Sequence, residues 1–181
     1  WTSAKPLFAQ NVPPQYTHNY GHITCSPDGT LYTACHFYNI GGSDNTAVTG
    51  DKSRMRSYGA AVLKSTDLGE TWTDLRDTEI KTPTLYNHQV AIPPLDANIY
   101  IYSITLDASG ELWAVTLNPG LENDIIWLNH WTGDDWQTSE LQSYLPDGLV
   151  PVEAMMTIDT SDRFHILTTT VDPEAVGTDS H

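Results

Sequence analysis

Four of the seven histidines, His18, His22, His36 and His88, fall with Tyr86, Arg54 and Arg56 in segments that a β-fold would gather at one edge. Imidazole, with an ordinary pKa near 6.5, and phenol, near 10, each exchange a proton when neighbours tune them. Arginine pairs with a carboxylate through a two-pronged geometry. Together these types suit removal of a proton beside a carboxylate: the guanidinium neutralises the group onto which the carbanion delocalises, while His and Tyr act as base and acid. β-Elimination from a uronate polysaccharide uses that chemistry. Each residue also has an ordinary use. A histidine at a strand end is commonly a hydrogen-bonded structural residue, and the cluster Lys52, Arg54, Arg56 and Lys64 reads equally as a solvated loop.

Hairpins must position these side chains. Pro27-Asp28-Gly29 suits a type I turn with a glycine bulge, pairing Ser26 with Thr30. Counted back from the turn, His22 faces Ala34, Tyr20 faces His36 and His18 faces Tyr38, and side-chain alternation puts all six on one face. Two more segments share the plan. One runs 89–92, turns through 93–97 and returns over 98–102; the other runs 154–158, turns through 159–162 and returns over 163–167. Leu31, Ile99 and Phe164 then stand 68 and 65 residues apart.

Ser65-Thr66-Asp67-Leu68-Gly69-Glu70-Thr71-Trp72 fits the pattern S/T-x-D-x-G-x-T-W at every defined position. Its chemistry is structural: Asp bonds its own turn, Gly supplies an unusual backbone angle, and Trp plugs a core. Trp136 follows Trp72 by 64 residues and reads as the end of a degenerate copy. Four antiparallel strands per repeat, with no helical periodicity, predict an all-β chain and a β-propeller of four-stranded blades. The expected blades are 16–77, 84–142 and an incomplete one from 149 to 181, all parts of one domain. Propellers close with about 4 to 8 blades, so two and a half imply a remainder supplied by further chain or by other copies. In such a blade the start of the innermost strand and the end of the second meet at one rim. That rim would gather His18, His22, His36, Tyr38, Tyr86, Asn87, His88 and Tyr102, plus the insertion carrying Arg54 and Arg56, with the Asp pattern at the opposite end.

The 181 residues carry 23 acidic against 8 basic side chains, a net charge of −15, which argues against nucleic acid and anionic membrane as partners. No stretch is long and apolar enough to span a bilayer as a helix. Cys25 and Cys35 share a sheet face about four residues out of register, roughly 13 Å, too far for a disulfide. Two buried thiols are expected. No Cys-x-x-Cys spacing supports zinc, and the Asp-rich loops give no firm calcium signal, so no cofactor is required for the chemistry.

The Asp pattern and its repeat resemble the BNR/Asp-box propellers, which include sialidases and several polysaccharide lyases. His18-Asn19, the Pro27-Asp28-Gly29-Thr30-Leu31-Tyr32 hairpin and His36 resemble the first active-site blade of the propeller ulvan lyases. That resemblance implies an exported lyase, secreted or periplasmic, acting on an acidic polysaccharide. By position His18, His22 or His36 would be acid or base, Tyr86 or His88 the complementary group, and Arg54 or Arg56 the neutraliser, with Asn19, Tyr38 and Asn87 beside the substrate. The sequence departs where a neutralising arginine would end a second strand, since Tyr102 stands there. A sialidase is the near alternative, but only four arginines exist and no Arg-Ile-Pro motif precedes the first repeat. A non-catalytic carbohydrate-binding propeller is the third reading, with Trp113, Trp127, Trp131 and Trp136 as stacking platforms.

Overall fold

Strands rich in β-branched and aromatic residues alternate with tight Asp- and Gly-bearing turns, and they pair only with near neighbours in sequence. The computed structural model describes residues 5–9, 21–39, 56–95, 99–118, 125–141 and 147–171. Among these the chain is all-β. The first sheet is antiparallel and four-stranded, in the order β1 (His22–Cys25), β2 (Leu31–Asn39), β3 (Arg56–Ser65) and β4 (Ala91–Ile92). The second has β5 (Tyr100–Leu106), β6 (Leu112–Asn118), β7 (Ile125–Trp131) and β8 (Trp136–Glu140), and the third pairs β9 (Val150–Ile158) with β10 (Phe164–Val171).

The first and third expected hairpins form, the first in the expected register, with His22 partnering Ala34; in the third, Ile158 partners Phe164. The middle one does not form. Ala91 and Ile92 pair backward with Ala61 and Ala60 at the outer edge of the first sheet. The second sheet instead turns through Asp107-Ala108-Ser109-Gly110 between β5 and β6. The three inner turns are the same device. In each, the first residue's N–H bonds the carbonyl four residues on, in Ser26 to Thr30, Asp107 to Glu111 and Asp159 to Arg163. The fourth position has positive φ, at Gly29 (90°), Gly110 (85°) and Asp162 (56°). Asp107 and Asp159 each accept the N–H groups two and four residues on, and Asp28 accepts the corresponding Thr30 N–H from another position in its turn. The repeat is therefore marked by Leu31, Leu112 and Phe164, spaced 81 and 52 residues, rather than evenly near 65.

The Asp pattern closes the far end of β3. Asp67 takes the Thr71 N–H on both carboxylate oxygens (2.9 and 3.0 Å) and the Thr71 hydroxyl at 2.7 Å. Ser65 Oγ accepts from Gly69 N, and Trp72 Nε1 donates to the Gly69 carbonyl. The chain then returns so that Thr73 bridges Lys64. Trp72, 6% exposed, lies in a core with Cys35, Phe37, Ala61 and Leu63 on the back of the first sheet. Ala34, Ala60 and Val62 on its front pack against Ile101, Ile104, Leu112 and Trp131 of the second sheet. The opposite face of the second sheet, at Val115, Leu117 and Ile126, packs against Ala154 and Met156 of the third. Each sheet thus stacks its front on the back of the next. Cys35 is buried as expected, but Cys25 is exposed, because nothing among the described residues covers the back of β1.

Candidate functional site

His22 and His36 are brought together on the front of the first sheet by the β1–β2 register. They sit against β5 of the second sheet. The His36 ring lies 4.8 Å from that of Tyr100, and Tyr102 follows at 6.3 Å from Tyr100. Both imidazoles reach the main chain of Ile101. Burial lowers the pKa of His22, and the Ile101 hydrogen bond opposes it. Burial, then the neighbouring His22 charge, pulls His36 down to about 4 against the same opposing bond. Both rings are therefore mainly neutral at pH 7, the form that accepts a proton. His36 is 0% exposed, so in this arrangement a substrate does not touch it. His22 is half-buried, and its Nε2 is buried with no hydrogen-bond partner among the described residues. An unmet buried polar atom costs about 1–3 kcal/mol and asks for a partner.

The other expected site residues divide. Tyr86 packs against Phe37 at 5.6 Å and over Gly59, on the back of the first sheet and away from the His22–His36 face. His88 is exposed and edge-on to Tyr86 at 6.2 Å. Asn87 is engaged in its own loop, where its Oδ1 accepts Gln89 N–H and its Nδ2 donates to the Leu85 carbonyl. The expected single mouth is thus split by the β2–β3 layer, because residues 84–92 return along the back and edge of the first sheet. Tyr38 and Arg56 lie on β2 and β3 at the end away from the turns. His18, Asn19, Arg54 and Lys52 lie outside the described residues. Lys64 belongs to the turn end, where it pairs with Asp77 at 2.6 Å.

Tyr100 and the Ile101 main chain were not expected at this site, since Tyr100 reads as an ordinary strand residue. Recognising Asp107–Gly110 as the inner turn would have put Tyr100 on the strand that faces His36.

Other places among the described residues also gather polar or aromatic side chains at or near the turn end. A cleft of about 100 Å³ between the first sheet's edge and the β7–β8 turn is lined by Arg76, His88, Gln89, Trp131 and Trp136. Its polar groups are engaged: Arg76 lies over the Trp131 ring and bonds the Asp134 carbonyl, and Gln89 donates to Asp74. Asp107, Glu111 and His130 have ligand atoms within 4.8 Å of one another. Asp107 there accepts from Ser109, Glu111 and Trp113, while His130 stacks on Trp113 at 3.9 Å and bonds Glu111. These contacts make it a braced turn. Of the four tryptophans read as platforms, Trp131 is buried and Trp113 is sandwiched between His130 and Phe164.

The sequence matches no protein-family model and no curated protein. Among solved structures, a protein of unknown function from Dyadobacter fermentans DSM 18053 is similar in fold, with a TM-score of 0.57 at 16% identity over 84% of this chain. The chain spans 44% of that protein's length. A fucose lectin from Kordia zhangzhouensis, in complex with methyl-fucoside, aligns at a TM-score of 0.43 and 13% identity over 85% of each chain, too loose a likeness to bear on function.

Proposed function

We propose that the chain is part of a sialidase-like β-propeller that degrades a uronate-containing polysaccharide by β-elimination. Three stacked antiparallel sheets, repeated inner turns and an Asp-box return support the propeller. The observation that carries the activity is His22, a half-buried imidazole of lowered pKa set four residues before the β1–β2 turn beside a buried second imidazole. Its unmet Nε2 is covered in this arrangement and must be uncovered to meet substrate. In this reading His22 takes the proton α to the uronate carboxylate, and Arg56 or Arg54 neutralises that carboxylate. The electron pair forms the new C=C bond, the glycosidic C–O bond to the leaving sugar breaks, and an acid such as Tyr38 or His18 protonates the departing oxygen. His36 orients His22. Such an enzyme is exported, since its substrate is extracellular.

A sialidase reading has less support. Arg76 and Arg163 lie at the turn end, which leaves Arg54 and Arg56 to bind a carboxylate that a sialidase clasps with several arginines.

His22→Ala in the full protein is expected to lower the rate of unsaturated-uronate formation by roughly 10²-fold or more. An undiminished rate would sink this assignment. Product analysis separates the classes: a 4,5-unsaturated sugar marks a lyase, free sialic acid a sialidase, and binding without a product a carbohydrate-binding module.

A further inference from the structure

The three inner turns superpose residue by residue, and this sets the junction of the first and second sheets apart from that of the second and third. The later junction is stitched at its turns. Ala108, the second residue of its turn, donates its N–H to the side chain of Asp162, the fourth residue of the next turn, at 3.0 Å. The equivalent residues at the earlier junction are Pro27, which has no N–H, and Gly110, which has no side chain. A Cβ on Gly110 would meet nothing within 4 Å. The aromatic packing differs in the same sense. Tyr32 and Trp113 are equivalent, each the second residue of its strand. Trp113 is closed in by His130 at 3.9 Å and by Phe164 of the third sheet at 4.6 Å. Tyr32 has Lys64 in the place of His130 and the smaller Leu112 in the place of Phe164.

The earlier junction is therefore left open at its turn end. A crevice of about 200 Å³ is walled there by Tyr32, Leu112 and Trp131, with the exposed Gly110, Glu111 and Thr132 beside them. Drug-sized ligands occupy about 300–1,000 Å³, so this space suits a smaller guest. Around its aromatic and apolar walls stand hydrogen-bond acceptors. The Glu111 carboxylate is held by His130 at 2.7 Å. Burial, then the charges of Asp28 and Asp77, raises the pKa of the Tyr32 phenol, so both carboxylates act on that side chain. Ionised carboxylates accept hydrogen bonds and repel anions. A cationic guest would find each of these groups already engaged: Asp77 by Lys64, Glu111 by His130, and Asp28 by Ser26 and Thr30. Hydroxyl donors need only the lone pairs that remain, since a carboxylate can accept about four hydrogen bonds.

We propose that this crevice binds one neutral sugar ring, its C–H face against Tyr32 and its hydroxyls donating to Glu111. Both requirements follow from the walls: an apolar face for the aromatic ring, and donors without negative charge for the acceptors. The binding needs no chemistry at His22 and stands apart from the lyase reading.

Saturation-transfer NMR on the full protein tests it. The probes are methyl glycosides of neutral pentoses, hexoses and deoxyhexoses, with methyl glucuronide and tetramethylammonium as charged controls. A guest of about a dozen heavy atoms is expected to bind at about 1 mM. Tyr32→Ala should weaken that binding by about tenfold or more. Pro27→Ala combined with Gly110→Asp rebuilds the stitch of the later junction, where Asp162 already occupies the equivalent position at a positive φ of 56°. This double variant should close the crevice and weaken binding as much, with its melting temperature kept. The charged controls should bind about tenfold more weakly than the best neutral glycoside. His22→Ala should bind the sugar as wild type does, so this inference and the lyase reading fail separately. Absence of binding by every neutral glycoside at tens of millimolar, roughly tenfold or more above the expected constant, overturns the proposal. So does binding that either crevice variant leaves unchanged, or a charged control that binds as tightly. Tyr32→Leu replaces Tyr32→Ala if the latter does not fold.

Discussion

A buried imidazole changes the stability of its protein only over the interval between its native and unfolded pKa values. For His36 that interval runs from about 4 to 6.5, and throughout it the unfolded chain binds more protons than the native one. Stability is therefore complete above pH 6.5, falls as pH drops to about 4 and then levels off, by up to about 3 kcal/mol. Urea melts across this range should show that slope. His36→Gln should flatten most of it, leaving the contribution of His22, which has the same sign. If His36 also orients His22, the variant shifts the pH profile of turnover as well as stability. Gly59 sets a second test at this scale. A Cβ there would meet the Tyr86 ring, which is packed against Phe37. Gly59→Ala should destabilise by roughly 1–3 kcal/mol, and Tyr86→Ala in the same chain should recover part of that loss in a double-mutant cycle.

At the scale of elements, the Asp-box turn holds the outer edge of the first sheet, because Thr73 bridges Lys64 only after the chain has reversed at 65–72. Asp67 is held down to about 2 by the Thr71 hydroxyl, then by the Thr71 N–H and Ser65, so it stays ionised and able to accept those bonds. Asp67→Ala should speed amide exchange at Lys64 and Thr73, while β1–β2 amides such as Ala34 keep their protection. This turn was legible because each of its residues does a local job that only a few residue types can do. The first and third hairpins were legible for the same reason. The second was misread because Pro93-Pro94-Leu95 punctuates the chain more loudly than Asp107–Gly110. A strand such as 91–92 also carries no local mark of whether it pairs backward or forward; that choice depends on Ala60 and Ala61, some thirty residues away. The site suffered accordingly. The proximity of His22 and His36 came from one local register, whereas the separation of Tyr86 depends on the misassigned return. Tyr100 was missed for that reason too.

Over the whole molecule, the net charge of −15 opposes an acidic polymer unless encounter is screened. If the substrate is a polyuronate, its kcat/KM should rise with salt between low ionic strength, where the Debye length is near 30 Å, and 0.15 M, where it is about 8 Å. The value of kcat should change less. A kcat/KM that falls steeply with salt would instead indicate attraction through cations such as Lys52, Arg54 and Arg56. Part of that charge is fixed by the fold. Asp28, Asp67, Asp107 and Asp159 are all bound into turns at one end of the stack, with Asp134, Asp135 and Asp162 beside them. Hydrogen bonding holds Asp28, Asp67 and Asp159 below the usual carboxylate range, so these groups keep their charge even in mild acid. What folds the turns therefore also protects them from acid: Asp28, Asp67 and Asp159 stay charged to a lower pH than a free carboxylate does, so the bonds that shape these turns outlast the first neutralisation of ordinary acidic side chains.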